Sequence, residues 1–306
     1  MLTYTLWRIA RIIPVALVVV TLIFLLFRMV PGDPARAIAG SQALESTVEQ
    51  IRHQLGLDRP IYVQYWNYLK GLPRGNLGFS GIYQGNAAPV IIQHLPPTLA
   101  LLGSSILLTI LIGVPAGIVS ALNRGNAVDY VISLLVVGML SIPNFWLGMM
   151  LISLFAVSYH LLPSFGFSSA LALVLPTLAV SARLVAVVAR MTRSSMLEVL
   201  QRDYVRTARA KGLNHSVIVY KHALRNALIP TITTVGLQAG YLLGGSIVIE
   251  QLFAWPGIGQ LMINSVGLRD FNMVQGITVI FSIGFLVINL LVDLVYAIVN
   301  PRIEYR

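Results

Sequence analysis

Residues 75–123 and 130–182 contain no Asp, Glu, Lys or Arg. A helix that crosses the hydrocarbon layer needs ~20 mostly apolar residues. Each of these runs therefore holds two spans, or one span and a soluble stretch. Three shorter uncharged runs, 12–27, 226–249 and 271–292, each have room for one. Charge is excluded from these windows rather than thinned evenly. The hydrophobic fraction of 57% and mean hydropathy of +0.80 exceed the roughly 45–50% apolar content of soluble domains. The chain reads as an all-α, polytopic integral membrane protein in contact with a lipid bilayer. It has no cysteine, which excludes disulfides, thiolate metal sites and thiol nucleophiles. A net charge of +10 follows from the excess of cations on the inner side of membrane proteins and does not call for nucleic acid.

Six spans fit the pattern, at about 9–30, 98–122, 130–157, 171–191, 227–249 and 274–298. Near the start, Arg8 and Arg11, an apolar run and Ala37-Ile38-Ala39 imitate a cleaved leader. Arg28 and the turn Pro31-Gly32-Asp33-Pro34 separate that site from the apolar run, so 1–30 reads as an uncleaved first span. With the N-terminus inside, Arg8, Arg11, Arg124, the eight cations from Arg190 to Arg225, Arg302 and Arg306 are all cytoplasmic. Both termini are then cytoplasmic, including a tail at 301–306. Residues 31–94 form an extracytoplasmic insertion, and 95–300 a five-span core with a cytoplasmic loop at 192–225.

The insertion is expected to be small and helical. Ser46-Thr47-Val48-Glu49 has capping-box spacing, Val48, Ile51 and Leu55 form a stripe, and Gly56 is a stop. A second helix follows Pro60 through Tyr65, Tyr68 and Leu69 to Gly71. Its plainest role is a lid over the spans, with a binding module as the alternative. Pro143 and Pro176 mark expected kinks in spans three and four, and the third span is long enough to tilt. No internal repeat is visible.

Few residues offer chemistry. Arg183, two turns from Arg190, and Asp293 are ionisable groups within spans. Each is read as an interhelical pair or an interfacial charge, and Arg183 alternatively as a substrate contact, because a mid-span arginine costs about 2.5–3.5 kcal/mol and must face protein or water. No acid–base chain supports a proton-coupled carrier. Gly244-Gly245-Ser246 lacks a Gly-x-Ser-x-Gly frame and a histidine base within a span. His53, His94, His160, His215 and His222 form no metal-spaced pair, and no phosphate-binding Gly-x-x-x-x-Gly-Lys-Ser/Thr loop occurs. The chain is not read as an enzyme; any energy for uphill movement comes from another subunit.

One stretch departs from the oily background: "DYVRTARAKGLNHSVIVYKHALRNALIP", residues 203–230. On a helix, Arg202, Arg206 and Arg209 line one face, and Val205, Ala208 and Gly212 another. Two readings stand: a basic loop drawn to anionic lipid at ~1 kcal/mol per cation, or a docking helix whose small-residue face enters a groove of a partner.

Asp203 to Gly212 and "HALRNALIP" resemble the cytoplasmic signature of ABC-importer permeases, Glu-Ala-Ala, three residues, Gly. Arg206-Thr207-Ala208 stand at the first three positions and Gly212 at the glycine. This form, with "PGDPARAIAG" at 31–40, "LGLDRPIYVQYW" at 55–66, "MTRSSMLEVL" at 191–200, "WPGIGQL" at 255–261 and "NPRI" at 300–303, resembles the dipeptide/oligopeptide/nickel branch along the whole chain. The resemblance implies a type I ABC-importer permease fold in the cell membrane. It implies a heterodimer with a paralogous six-span permease, two cytoplasmic ATPases that bind ATP and Mg, and an external solute-binding protein; this chain holds no cofactor or metal. Asp203, Tyr204, Arg206, Thr207, Ala208, Arg209, Ala210, Lys211 and Gly212 would form the ATPase-coupling helix. Asn144, Gln238, Ser246 and Asn289, with Arg183 deeper, are candidates for the translocation path, against ordinary interhelical hydrogen bonding. Glu250 and Trp255 would sit at the outer mouth, to receive the binding protein or as a plain structural loop. The implied cargo is a dipeptide or short peptide, with glutathione or nickel as alternatives of the same branch. A stand-alone channel or facilitator, and a scaffold without transport, are the readings from other classes.

Overall fold

The computed structural model describes residues 2–30, 32–40, 42–167 and 169–299. The expected tail at 301–306 and the "NPRI" stretch at 300–303 lie outside the described residues, as does Pro31. In chain order the helices are α1 (Leu2–Met29), α2 (Pro34–Ala39), α3 (Glu45–Gln54) and α4 (Ile61–Gly71). A two-residue hairpin follows, β1 (Phe79–Ser80) antiparallel to β2 (Gly85–Asn86) with Phe79 opposite Asn86. Then come α5 (Ala87–Leu122), α6 (Ala127–Ser141), α7 (Asn144–Leu151), α8 (Val174–Leu200) and α9 (Asp203–Ala210). The last are α10 (His215–Val217), α11 (Leu224–Leu252), α12 (Ile258–Gly267) and α13 (Phe271–Val299).

Among the described residues, five helices are long and apolar enough to span a bilayer, and a sixth span results if α6 and the helix starting at Asn144 count as one. The third expected span is therefore neither kinked nor simply tilted but broken, with a bend of 103° between its halves. The cause is local. Proline disfavours a helical residue before it, and Ile142 is extended (φ −87°, ψ 125°) with Pro143 as the N-cap of α7. Pro176 behaves differently from expectation. It is the third residue of α8, where no i−4 partner is required of its nitrogen, so it starts a helix instead of kinking one.

The chain divides into two compact units. One comprises the chain up to Leu99 together with Ala254–Leu286; the other comprises Ala100–Phe253 and the chain from Val287. In the first, Leu77, Ala87, Ile91, Ile258, Leu261, Met273 and Ile277 form a buried apolar core. Phe24 of α1 stacks on Tyr65 and Tyr68 of α4, at centroid distances of 5.3 and 5.6 Å. Asp270 caps α13, accepting from the Met273 amide at 3.1 Å and from the Ser80 hydroxyl, which ties the hairpin to that helix start. The capping box does not form: α3 begins at Glu45 with Leu44 as N-cap, and Ser46 lies inside the helix. Glu49 pairs instead with Arg52, one turn on. Gly56, at φ +64°, ends α3 as expected.

In the second unit, α8 is the central helix; most of its residues from Leu175 to Met196 are buried. It meets α5 at Gly113-Val-Pro-Ala-Gly117, a small-xxx-small pattern that allows backbones to approach. A β-carbon on Gly117 would lie 2.6 Å from both the Ala189 carbonyl oxygen and Thr192 Cβ, and one on Gly113 3.0 Å from the Val185 carbonyl oxygen. At the end of the same pair of helices, buried Asp129 takes a two-pronged grip from Arg193 (Nε to Oδ1 2.8 Å, Nη2 to Oδ2 2.7 Å). It also accepts from Ser120 Oγ at 2.5 Å and the Gly125 amide at 3.0 Å, so α5, its following turn, α6 and α8 share one polar lock.

Two outcomes follow from this packing. Gly117→Leu should force α5 off α8 and lower stability by about 1–3 kcal/mol. Gly103→Ala in the same helix, where the added carbon meets open space, should leave the melting temperature of the detergent-solubilised chain unchanged. Asp129→Asn leaves the Arg193 charge without its counter-ion. Because Arg193 is 32% exposed, the loss should be about 1–3 kcal/mol rather than the ~3–5 of a fully buried pair. The same thermal melt reads it.

Candidate functional site

The segment expected to be cytoplasmic is shorter than its sequence implied. Instead of ending near Met191, α8 runs on to Leu200, and helix resumes at His215 rather than 227. Burial of Met196 with Ile118, Ala121, Val219, Ala223 and Ala227 explains the extension: the apolar stripe of α8 continues past the arginines and packs on the starts and ends of its neighbours. Only 201–214 remains between the two long helices, and α9 fills most of it.

Within α9 the small face is already covered. Val205 and Ala208 are buried with Ile218 and Leu200 of the same chain, so they seat the helix and are not a free groove-entering face. Gly212 has φ +73°, and a β-carbon there would meet nothing within 4 Å. Its amide donates to the Arg209 carbonyl at 3.0 Å and the Leu213 amide to Ala208 at 3.4 Å, so the glycine terminates α9 through its left-handed backbone.

The outward side of α9 consists of Asp203, Tyr204, Arg206, Thr207, Arg209, Ala210 and Lys211, all exposed. Tyr204 is tied to α11 by a bond from the Asn226 amide at 2.8 Å to its hydroxyl. Arg202 pairs with Glu198, and Arg206 lies 3.8 Å from Asp203. Arg209 and Lys211 have no ion pair among the described residues. The result is a short, rigidly seated helix that presents cations and a few apolar side chains outward, including Leu213, Val217 and Tyr220 just beyond it.

The path candidates divide into two groups. Arg183 and Arg190 are exposed and Val187 between them is half-buried, a narrow open stripe on the otherwise buried α8. Seven residues separate the two guanidiniums, about 10 Å along the axis. Asn144 at the break, Gln238 and Asn289 are half-buried. Ser246 is fully buried, its hydroxyl 3.2 Å from the Leu243 carbonyl and 3.4 Å from Glu250 Oε1; it faces protein and not a passage. Glu250 and Trp255 are also fully buried. The Trp255 indole N–H donates to Pro97 at 2.9 Å. Neither can offer surface to a binding protein, so the outer-mouth assignment gives way to a structural one.

The sequence alone does not single out the Asp129–Arg193 lock. A signal existed: Asp129 is the only acid between Asp58 and Glu198. Its partner could not be chosen among Arg124, Arg183, Arg190 and Arg193 without the fold.

Comparison with known proteins gives a consistent result. Over its full length of 306 residues the chain is 44% identical to the glutathione transport system permease protein GsiC of Escherichia coli K12, covering all of both chains. It is equally identical, with the same coverage, to the GsiC protein of Pectobacterium atrosepticum. In solved structures, 69% of the chain superposes on 96% of a chain of the inward-facing MetNI methionine ABC transporter, with TM-score 0.58 at 23% identity. An amino acid ABC transporter with histidines matches 68% of the chain over 93% of its own, with TM-score 0.55 at 18% identity. These two likenesses are of fold. Residues 1–101 match the N-terminal membrane component of binding-protein-dependent transport systems. Residues 113–305 match the inner membrane component itself, and the chain belongs to that family of multi-pass inner membrane proteins.

Proposed function

We propose that this chain is the permease subunit of an ATP-driven importer of short peptides, glutathione among them. The observation that carries the reading is the seated basic helix α9 at the junction of α8 and α11, in a chain 44% identical over its whole length to a glutathione permease. The chain has no phosphate-binding loop of its own. Work must therefore enter from partners: two cytoplasmic ATPases holding ATP and Mg, a paralogous six-span permease, and an external binding protein that selects the cargo. Asp203, Tyr204, Arg206, Thr207, Arg209, Ala210 and Lys211 form the contact with an ATPase, while Ala208 and Gly212 seat and end the helix. The functional division is an outer insertion at 31–94 and a five-span core at 95–300 with its coupling loop within 192–225. Both termini are cytoplasmic.

The mechanical logic is packing. Val205 and Ala208 are buried on Leu200 and Ile218, so displacing α9 displaces the ends of α8 and of the helix entering the next span. A partner biases such an equilibrium only through contacts that differ between states, and ATPase closure supplies that difference. On α8 the same movement repositions Arg183 and Arg190. An arginine cannot face hydrocarbon cheaply, so this stripe faces the passage or the partner permease. There it attracts the carboxylates of a peptide. Glutathione, with a net negative charge, suits it better than a metal cation does.

Reversing the exposed charges with Arg209→Glu and Lys211→Glu should leave membrane insertion intact and abolish ATP-dependent uptake. If the purified variant retains its ATPase subunits and transports normally, the coupling role is wrong. A facilitator would instead bring down no ATPase and ignore ATP depletion. Arg183→Gln should reduce glutathione uptake by about tenfold, the scale of local charge steering, and spare a zwitterionic dipeptide of zero net charge; equal losses for both would count against a stripe that steers net negative charge.

A further inference from the structure

The outer insertion contains a cavity of about 580 Å³, lined entirely by residues of the first unit, among them the last turn of α1, α4, the hairpin strands and the start of α13. Its size is that of a small-molecule site, ~300–1,000 Å³. Its chemistry is one-sided. Two guanidiniums, Arg28 and Arg59, and seven carboxamides, Asn67, Asn272 and Gln275 among them, line it, and none of the described lining residues carries a carboxylate.

The imbalance is built in. All four acids of 31–94 are engaged: Glu45 by Arg36, Asp33 and Glu49 by Arg52, and Asp58, at 2.8 Å, by His53, which itself lines the cavity. The Arg52–Asp33 pair closes at 2.5 Å, and that hydrogen bond raises the guanidinium's pKa above its ordinary value. Arg59 has no ion pair among the described residues. Burial raises the pKa of the Tyr68 hydroxyl at the cavity wall, which keeps it neutral and adds no repulsion to an anion. Gln64 gives both its amide donors to backbone, at 3.0 Å to the Leu57 carbonyl and 2.7 Å to the Arg59 carbonyl, which fixes the turn that carries Arg59 at the cavity wall.

We propose that this cavity is an extracytoplasmic subsite for a small amide-bearing carboxylate of dipeptide to tripeptide size. The carboxylate lies toward Arg28 and Arg59, and the peptide groups lie against the carboxamides of Asn67, Asn272 and Gln275. The proposal rests on the peptide-import reading and extends it: the insertion is a holding site for cargo and not only a lid.

The test uses the complete permease–ATPase complex in phosphatidylcholine nanodiscs without the external binding protein, with glutathione as the probe. Wild type should bind glutathione, and Arg59→Gln and Asn67→Trp, the latter filling the cavity from an exposed position on α4, should each weaken binding at least tenfold with unchanged melting temperature. No glutathione binding to wild type, or equal binding to wild type and both variants, overturns the subsite. So does displacement of glutathione by phosphatidylglycerol added to the discs, which would assign the cavity to a lipid headgroup. Uptake by the full system with its binding protein is measured alongside. Peptide uptake with unaffected pocket variants sinks this subsite alone, whereas an absence of any peptide uptake sinks the function.

Discussion

The close crossing of α5 and α8 is the constraint on which the second unit depends. In a bilayer, hydrophobicity does not drive helices together, because lipid tails are as apolar as leucine; association relies on packing and on polar contacts. Gly113 and Gly117 supply the first by letting α5 reach the backbone of α8. Asp129, gripped by Arg193 and by Ser120, supplies the second. With these fixed, α8 is enclosed on nearly all sides, and a single stripe containing Arg183 and Arg190 is left open. The open stripe is thus a consequence of how completely the remainder is packed.

On the coupling reading proposed above, the same helix carries a push on α9 to membrane depth. A long loop would absorb displacement in its own φ and ψ freedom. Here α8 continues to Leu200, α9 sits on it through two small side chains, and helix resumes by His215. Little slack remains between the point of contact and the spans. Packed interiors respond to force by switching between discrete arrangements, and a seated helix with a glycine stop is suited to trigger such a switch.

Much of the architecture is legible in the sequence because the bilayer enforces a coarse rule: charge is excluded wherever a helix crosses. That rule locates spans and says little about their ends. It sets the end of the fourth span at Met191, but Met196 keeps the apolar stripe going, and interior packing rather than lipid decides the boundary. Nor can it distinguish a kink from a full break at Pro143, which depends on whether the preceding residue leaves the helical region. Residue size identifies the small face of α9 as a packing face but points to the wrong partner, since it does not reveal whether the neighbour belongs to the same chain. Glu250 misleads for a related reason. An acid near a span end reads as exposed by composition, yet it is completely buried in the fold.

Charge in residues 31–94 obeys a different logic from charge in the spans. Surface ion pairs contribute little stability individually, about 0–1 kcal/mol, so four paired acids in so small a region are not needed to hold it together. Their combined effect is on the field. With Asp33, Glu45 and Glu49 each bound to an arginine of α2 or α3 and Asp58 bound to His53, the described residues lining the carboxamide-rich cavity include the guanidiniums of Arg28 and Arg59 and no carboxylate. An anion entering the cavity meets two guanidiniums and, among the described lining residues, no carboxylate. A simple lid would be equally stable with its acids and bases distributed at random. The sorting of charge therefore points to a function for the insertion beyond covering the spans.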